Sequence, residues 1–214
     1  MRARAVEELA GLGRKSLRRS AAVCDPAEPG RIVRDGRALH DFSSNDYLGL
    51  SRHPEVLAGA HAALDHYGAG ARASRLVTGN LPLHAELEEE LASWKRASSA
   101  LLLPCGFSAG ASLPRALARP GDAIFLDRLC HACLVDGARL SGAELLVFPH
   151  NDVERLEALL RKRADAPHRW IVVDGVYSMD GDICPLPELL ELAERHDATL
   201  IVDDAHATGT LGAG

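Results

Sequence analysis

From Ala100 onward the apolar positions gather into runs of four or five residues, separated by longer stretches in which they recur every three or four. The runs Ala100–Leu103, Ala123–Leu126, Glu144–Phe148, Trp170–Val173 and Thr199–Val202 are too short for helices and suit buried strands. Between and after them, Phe107–Leu117, His131–Leu140, Val153–Arg163 and Leu186–Arg195 carry helical spacing. Strand and helix therefore alternate with short links. That pattern predicts an α/β fold in which a mainly parallel sheet is sandwiched by helices. The last run, Thr199–Val202, reads as a strand buried on both faces.

The first half is less regular. Residues 2–20 read as an amphipathic helix with Val6, Leu9, Leu12 and Leu17 on one side, and Pro26 and Pro29 interrupt regular structure after it. Arg31–Phe42 reads as a hairpin turning at Asp35 and Gly36. Ser43–Leu50 is polar yet carries large apolar residues, which is unusual for a simple linker. A helix starts at Pro54 and runs to about Leu64. Tyr67–Asn80 is rich in glycine and carries Arg72 and Arg75; it lacks the ending of a phosphate-binding Walker loop, so an anion contact and a plain surface loop both remain open. Leu83–Trp94 reads as an acidic helix turning Leu83, Leu87, Leu91 and Trp94 to the core. The expected organisation is an N-terminal helix and hairpin segment over residues 1–50, followed by one larger domain over 51–214.

Composition narrows the function classes. A net charge of −6 gives no basic footprint for nucleic acid. No apolar run approaches the ~20 residues of a membrane span, and the N-terminus lacks a secretory core, so a cytoplasmic protein is expected. Five scattered cysteines, an odd number, indicate reduced thiols rather than a disulfide framework. Cys130 and Cys133 have C-x-x-C spacing, but no second pair completes a zinc site, so no metal is expected.

If the sheet is parallel, the residues following each strand collect along one edge. After Ala100–Leu103 comes a stretch of small residues opening a helix at Gly106, where backbone N–H groups and the helix dipole could meet a phosphate. The other runs are followed by Asp127 to His131, by Asp174 to Asp182, and by Asp203, Asp204 and His206. Gly106–Gly110 also fits G-x-S-x-G, so an α/β-hydrolase using Ser108, with Asp203 or Asp174 and His206, is the rival reading. Against it, Asp203 and His206 share one loop.

The stretches Phe42–Pro54 (FSSNDYLGLSRHP), Cys105–Phe107 (CGF), Asp127–Ala132 (DRLCHA), Pro149–Asp152 (PHND), Asp174–Asp182 (DGVYSMDGD) and Val202–His206 (VDDAH) carry a resemblance across nearly the whole chain. The sequence resembles the pyridoxal 5'-phosphate (PLP) dependent α-oxoamine synthases of the fold type I aminotransferase superfamily. The resemblance implies PLP as cofactor. Gly106 and Phe107 would contact its phosphate, Asp203 its ring nitrogen, and His206 and Ser178 its phenolic oxygen. His131 would lie over the ring and touch the substrate. Arg18, or Arg19 by a one-residue shift, would bind the substrate carboxylate. The implied catalytic residues are His131, Asp203 and His206. The implied reaction joins an amino acid to an acyl-CoA or other acyl thioester with loss of carbon dioxide. The run from Ser43 to Leu50 favours the branch that uses L-alanine and a pimeloyl thioester for biotin; Ala207 is more common in the glycine acetyltransferase branch. Family members are homodimers, so a homodimer is implied. Cys130 and Cys133 stand where the family commonly has serine.

The family's cofactor-bearing lysine lies beyond the VDDAH motif, and none of Lys15, Lys95 and Lys162 falls in its motif. The chain is therefore expected to be part of a longer synthase that also has a C-terminal small domain, inactive by itself and with an open sheet edge. The alternative is a shortened relative that binds PLP or a partner without catalysis.

Overall fold

The computed structural model describes residues 2–28 and 30–212, so Pro29 lies outside the described residues. The chain divides into two compact units, Met1–Val56 and Leu57–Gly214.

In the first unit, helix α1 spans Arg2–Arg14 and stops short of the expected residue 20. Ser16 adopts a left-handed backbone (φ 56°), and the N–H of Leu17 returns to the carbonyl of Leu12. Such a turn caps the last carbonyls and ends a helix. Leu17 thus lies beyond the helix, and Val6, Leu9 and Leu12 are exposed. Strand β1 (Asp25–Pro26) pairs with β2 (Arg31–Arg34), which pairs with β3 (Arg37–His40), all antiparallel. The expected hairpin is present. Asp35 and Gly36 both take positive φ, which matches the right-handed twist of the strands they join. Between Ser43 and Leu50 the carboxylate of Asp46 accepts both the N–H and the hydroxyl of Ser51.

In the second unit, α2 (Pro54–Tyr67, entered from the first unit) and α3 (Pro82–Trp94) bury no residue, and Leu83, Leu87 and Trp94 are exposed. The apolar face of α3 was expected to meet the core; among the described residues no layer covers it. The expected strand Ala100–Leu103 has no regular structure and pairs with no strand among the described residues. Side chains replace its ladder: Glu88 accepts the N–H of Leu102 at 2.6 Å, and Arg75 donates to the Leu102 carbonyl at 2.8 Å. Arg75 is also bidentate to Glu88. Arg75 of the glycine-rich loop is therefore engaged with Glu88 and the Leu102 backbone, which leaves it little to offer an anion.

The remaining elements match the sequence pattern. They are α4 (Gly106–Leu117), β4 (Ala123–Asp127), α5 (Ala132–Ser141), β5 (Glu144–Phe148), α6 (Val153–Lys162), β6 (Arg169–Asp174), α7 (Leu186–Arg195) and β7 (Thr199–Asp203). The sheet is parallel with order β5-β4-β6-β7. Alternate residues feed two cores. Phe125, Ile171 and Val173 pack with Leu156 and Leu160 of α6 and Leu189 and Leu192 of α7. Ile124, Leu126, Val172 and Ile201 pack with Cys133, Leu134 and Ala138 of α5. Each fully buried aliphatic side chain contributes about 1.5–3 kcal/mol relative to exposure. Strand β7 is an edge strand among the described residues, and Val202 is 36% exposed, so it is not buried on both faces as its composition suggested. No helix among the described residues is long and apolar enough to cross a membrane.

Helices α4 and α5 meet closely. A Cβ on Gly110 would collide with the Cys133 sulfur, and one on Gly137 would lie 2.5 Å from the Ala111 carbonyl oxygen. This reciprocal pair of glycines sets where the start of α4 stands relative to the strand ends.

Candidate active site

Three of the four anticipated strand ends are strand ends: β4, β6 and β7 deliver Asp127, Asp174 and Asp203 to one edge. The fourth contribution comes from the side-chain-held segment 100–103. Beside that edge lies a cleft of about 650 Å³, within the ~300–1,000 Å³ usual for small-molecule sites. Gly106, Phe107, His131, Ser178, Asp203 and His206 all line it. Arg18 and Arg19 come after α1 in the other unit, exposed and without regular structure.

The start of α4 forms one wall. Its N-cap, Cys105, makes no side-chain capping bond to the backbone N–H groups of the first turn. The opening N–H groups of a helix have no intrahelical acceptor and attract anions. Space around Gly106 is open to 4 Å from a notional Cβ. The Cys105 thiol is held below the usual thiol range chiefly by the Ser108 hydroxyl, as expected near a helix start. Ser108 itself lies 3.3 Å from the Cys105 sulfur and does not line the cleft. That geometry gives no support to a serine nucleophile.

His131 caps α5. Its Nδ1 accepts the N–H of Cys133 at 3.3 Å and lies 2.9 Å from the Cys133 sulfur. In the neutral ring an accepting Nδ1 fixes the proton on Nε2, the atom left to serve the cleft. The His131 N–H approaches Asp174 Oδ1 at 3.4 Å. Asp174 also lines the cleft and is 3% exposed; burial, and then the charge of neighbouring Asp203, push its pKa up to about 6. The two are register partners on β6 and β7. Asp203 accepts the Ala205 N–H at 3.1 Å. The loop after β7 is tethered by Lys95, which contacts Asp204 at 2.7 Å and Thr208 at 2.8 Å. The Lys95 bond holds the Asp204 carboxyl below its ordinary range. This ion pair was not foreseen, because its partners are 109 residues apart in sequence.

Leu101, Leu103, Phe107 and Leu113 give the cleft an apolar side. Cys130 and Cys133 are free and buried, and burial raises both thiols. Among the described residues no cluster of His, Cys, Asp and Glu is arranged for a metal ion.

A family model described as aminotransferase class I and II matches residues 38–214. The chain belongs to that family. Within it, the chain is 50% identical over 211 residues to an 8-amino-7-oxononanoate synthase of Maricaulis maris, covering 98% of this chain and 54% of that protein. A serine palmitoyltransferase from S. paucimobilis, solved with a bound PLP–myriocin aldimine, matches with a TM-score of 0.84 at 31% identity, over 92% of this chain and 50% of that one. An 8-amino-7-oxononanoate synthase from Francisella tularensis matches with a TM-score of 0.61 at 27% identity, over 76% and 44%. The chain spans about half the length of the curated relatives it matches. As an aminotransferase-family chain it has the parallel sheet and flanking helices that its residue pattern anticipated.

Proposed function

We propose that this chain forms the cofactor-binding part of a PLP-dependent acyltransferase of biotin biosynthesis, an 8-amino-7-oxononanoate synthase. It would join L-alanine to a pimeloyl thioester with loss of carbon dioxide. The observation that carries the reading is the convergence of Gly106, Phe107, His131, Ser178, Asp203 and His206 on one cleft, in a chain half identical to such a synthase.

The residues fit the cofactor. The uncapped start of α4, with open space at Gly106, suits a phosphate. Asp203 at the end of β7 would accept a hydrogen bond from the pyridine nitrogen. His206 and Ser178 would hold the phenolic oxygen. His131, with Nδ1 engaged by its own helix, would present Nε2 over the ring face and orient the amino acid. Bound PLP supplies an electron-withdrawing ring that stabilises negative charge at the substrate α-carbon. The carboxylate of Asp203 keeps that withdrawal strong by favouring the protonated ring nitrogen. Arg18 or Arg19 would bind the substrate carboxylate as a bidentate partner, and a homodimer is the assembly in which the synthase would act.

The test has two parts. Titration of the chain with PLP, monitored by absorbance and fluorescence, should show saturable binding that D203A weakens by roughly tenfold or more, the worth of one charge-assisted hydrogen bond. Absence of saturable binding would refute the cofactor assignment. The protein as its native source makes it should then release coenzyme A from pimeloyl-CoA with L-alanine faster than from acetyl-CoA with glycine. The reverse preference would assign it to another branch.

A further inference from the structure

One group of ionisable side chains stands at the same strand ends without lining the cleft. Asp127 closes β4 and is fully buried. Its carboxylate accepts the N–H groups of Leu129 and Asn151, each at 2.8 Å. His150 Nδ1 lies 3.1 Å from the same carboxylate, and His150 Nε2 lies 2.6 Å from Asp182 Oδ2. Asn151 Nδ2 also donates to Asp182 at 2.9 Å. Asp182 Oδ1 is buried without a hydrogen-bond partner, while Oδ2 takes the contacts from His150 and Asn151. A neutral imidazole carries one N–H and can donate to only one of two acids. Both ring nitrogens face carboxylate oxygens here, so the geometry calls for a doubly protonated ring.

Each acid adjoins a loop that feeds the cleft. Asp127, through Leu129, shapes the link that delivers His131. Asp182 closes the loop that carries Ser178: its carbonyl accepts the Tyr177 N–H at 3.1 Å, the Gly181 N–H returns to Tyr177 at 2.8 Å, and Cys184 bonds Gly175 at 3.0 Å. We propose that His150 is a positioning residue, an imidazolium bridge between Asp127 and Asp182 that holds the Ser178 loop against the end of β4. Its relevance to catalysis rests on the reading of the cleft as a site that uses Ser178.

The titratable groups facing the ring are Asp127 from β4 and Asp182 and Tyr177 from the loop after β6; the Tyr177 ring stands edge-on at 4.3 Å between centroids. Burial disfavours the imidazolium, but the bonds to Asp182 and Asp127 more than offset it, and the pKa is raised. A raised folded-state value means the bridge is fully formed below the ordinary imidazole value of about 6.5 and is lost as pH rises through the higher folded value.

The experiment tracks the His150 ring signal by NMR in the full chain, without cofactor, alongside amide hydrogen exchange corrected for its intrinsic pH dependence. The ring should titrate above about 6.5. Across that transition the Tyr177, Gly181 and Cys184 amides should lose protection by roughly tenfold or more, the worth of one charge-assisted hydrogen bond. The Gly175 amide, bonded to Asp203 in the sheet, should not respond. D182N should lower the His150 midpoint and abolish the step while β4 keeps its protection. A midpoint at or below the ordinary value, or protection indifferent to the titration, overturns the proposal. Persistence of the step in a chain that fails to bind PLP upholds the bridge and refutes only the cofactor reading; PLP binding without the step does the opposite.

Discussion

Replacing Gly137 by alanine tests the close contact that sets the position of α4. The added Cβ would lie 2.5 Å from the Ala111 carbonyl oxygen and 3.0 Å from both the Ala111 carbonyl carbon and the Gly110 oxygen. All three are backbone atoms, so no side chain can swing aside. Carbon atoms prefer about 3.5 Å or more to their neighbours, so the helices must part locally by close to 1 Å. Overpacking of this kind costs about 1–3 kcal/mol. Alanine recovers about 0.5–1 kcal/mol through its better helix propensity. Because only backbone atoms are met, the upper part of the overpacking cost applies, about 2–3 kcal/mol, and the expected net loss is about 1–2.5 kcal/mol, with a Tm lower by roughly 2–10 °C for a chain of this size. Gly59, inside α2, has nothing within 4 Å of a notional Cβ, and G59A should raise stability by about 0.5–1 kcal/mol. Urea unfolding monitored through Trp170, which packs against the α5-side core, should separate the two substitutions by sign. A G137A chain as stable as the parent would refute the claim that backbone contact fixes these helices.

Other substitutions obey the same physics. The Glu88 carboxyl is lowered to about 2 by its bond to Arg75 and then by the Leu102 N–H. The stability it confers is present above the ordinary carboxylate range and lost as pH falls toward that value; E88Q should flatten this acid limb in urea midpoints measured against pH. For Asp174 the sign reverses. With a folded value of about 6 against 3.8, holding it ionised costs up to about 3 kcal/mol above pH 6, a cost that shrinks as pH falls toward the lower value. D174N should therefore unfold at higher urea than the parent at neutral pH, with the difference closing in acid; a lower midpoint at neutral pH would refute the assignment. Breaking the tether with K95M should weaken PLP binding severalfold by loosening the loop of Asp203 and His206, with little change in overall stability because the ion pair is half exposed. Equal PLP affinity would show that the loop needs no tether.

The alternation of short apolar runs with helical spacing was enough to define β4 to β7 and α4 to α7 within a residue or two. Buried strands and two-sided packing leave that imprint directly in the order of residues. The strand-end pattern marked out the stretches around Gly106, Asp127–His131, Asp174–Asp182 and Asp203–His206, because a parallel sheet gathers those positions at one edge; the family resemblance singled out Gly106, Phe107, His131, Ser178, Asp203 and His206 within them, and all six line one cleft. Where neighbours decide the outcome, local pattern was insufficient. Residues 100–103 have strand composition, yet it is Glu88 and Arg75 that take up the backbone N–H and carbonyl of Leu102. Thr199–Val202 is apolar enough for the centre of a sheet but is an edge strand among the described residues, and Leu83 and Leu87 of α3 are exposed. The bridge through His150 and the tether through Lys95 join residues tens of positions apart, and only the tertiary structure brings them within hydrogen-bond distance. Sequence determined which segments are strands and helices and which residues end them; the packing of those segments decided which side chains meet, because contact depends on distance through space, which the order of residues along the chain does not record.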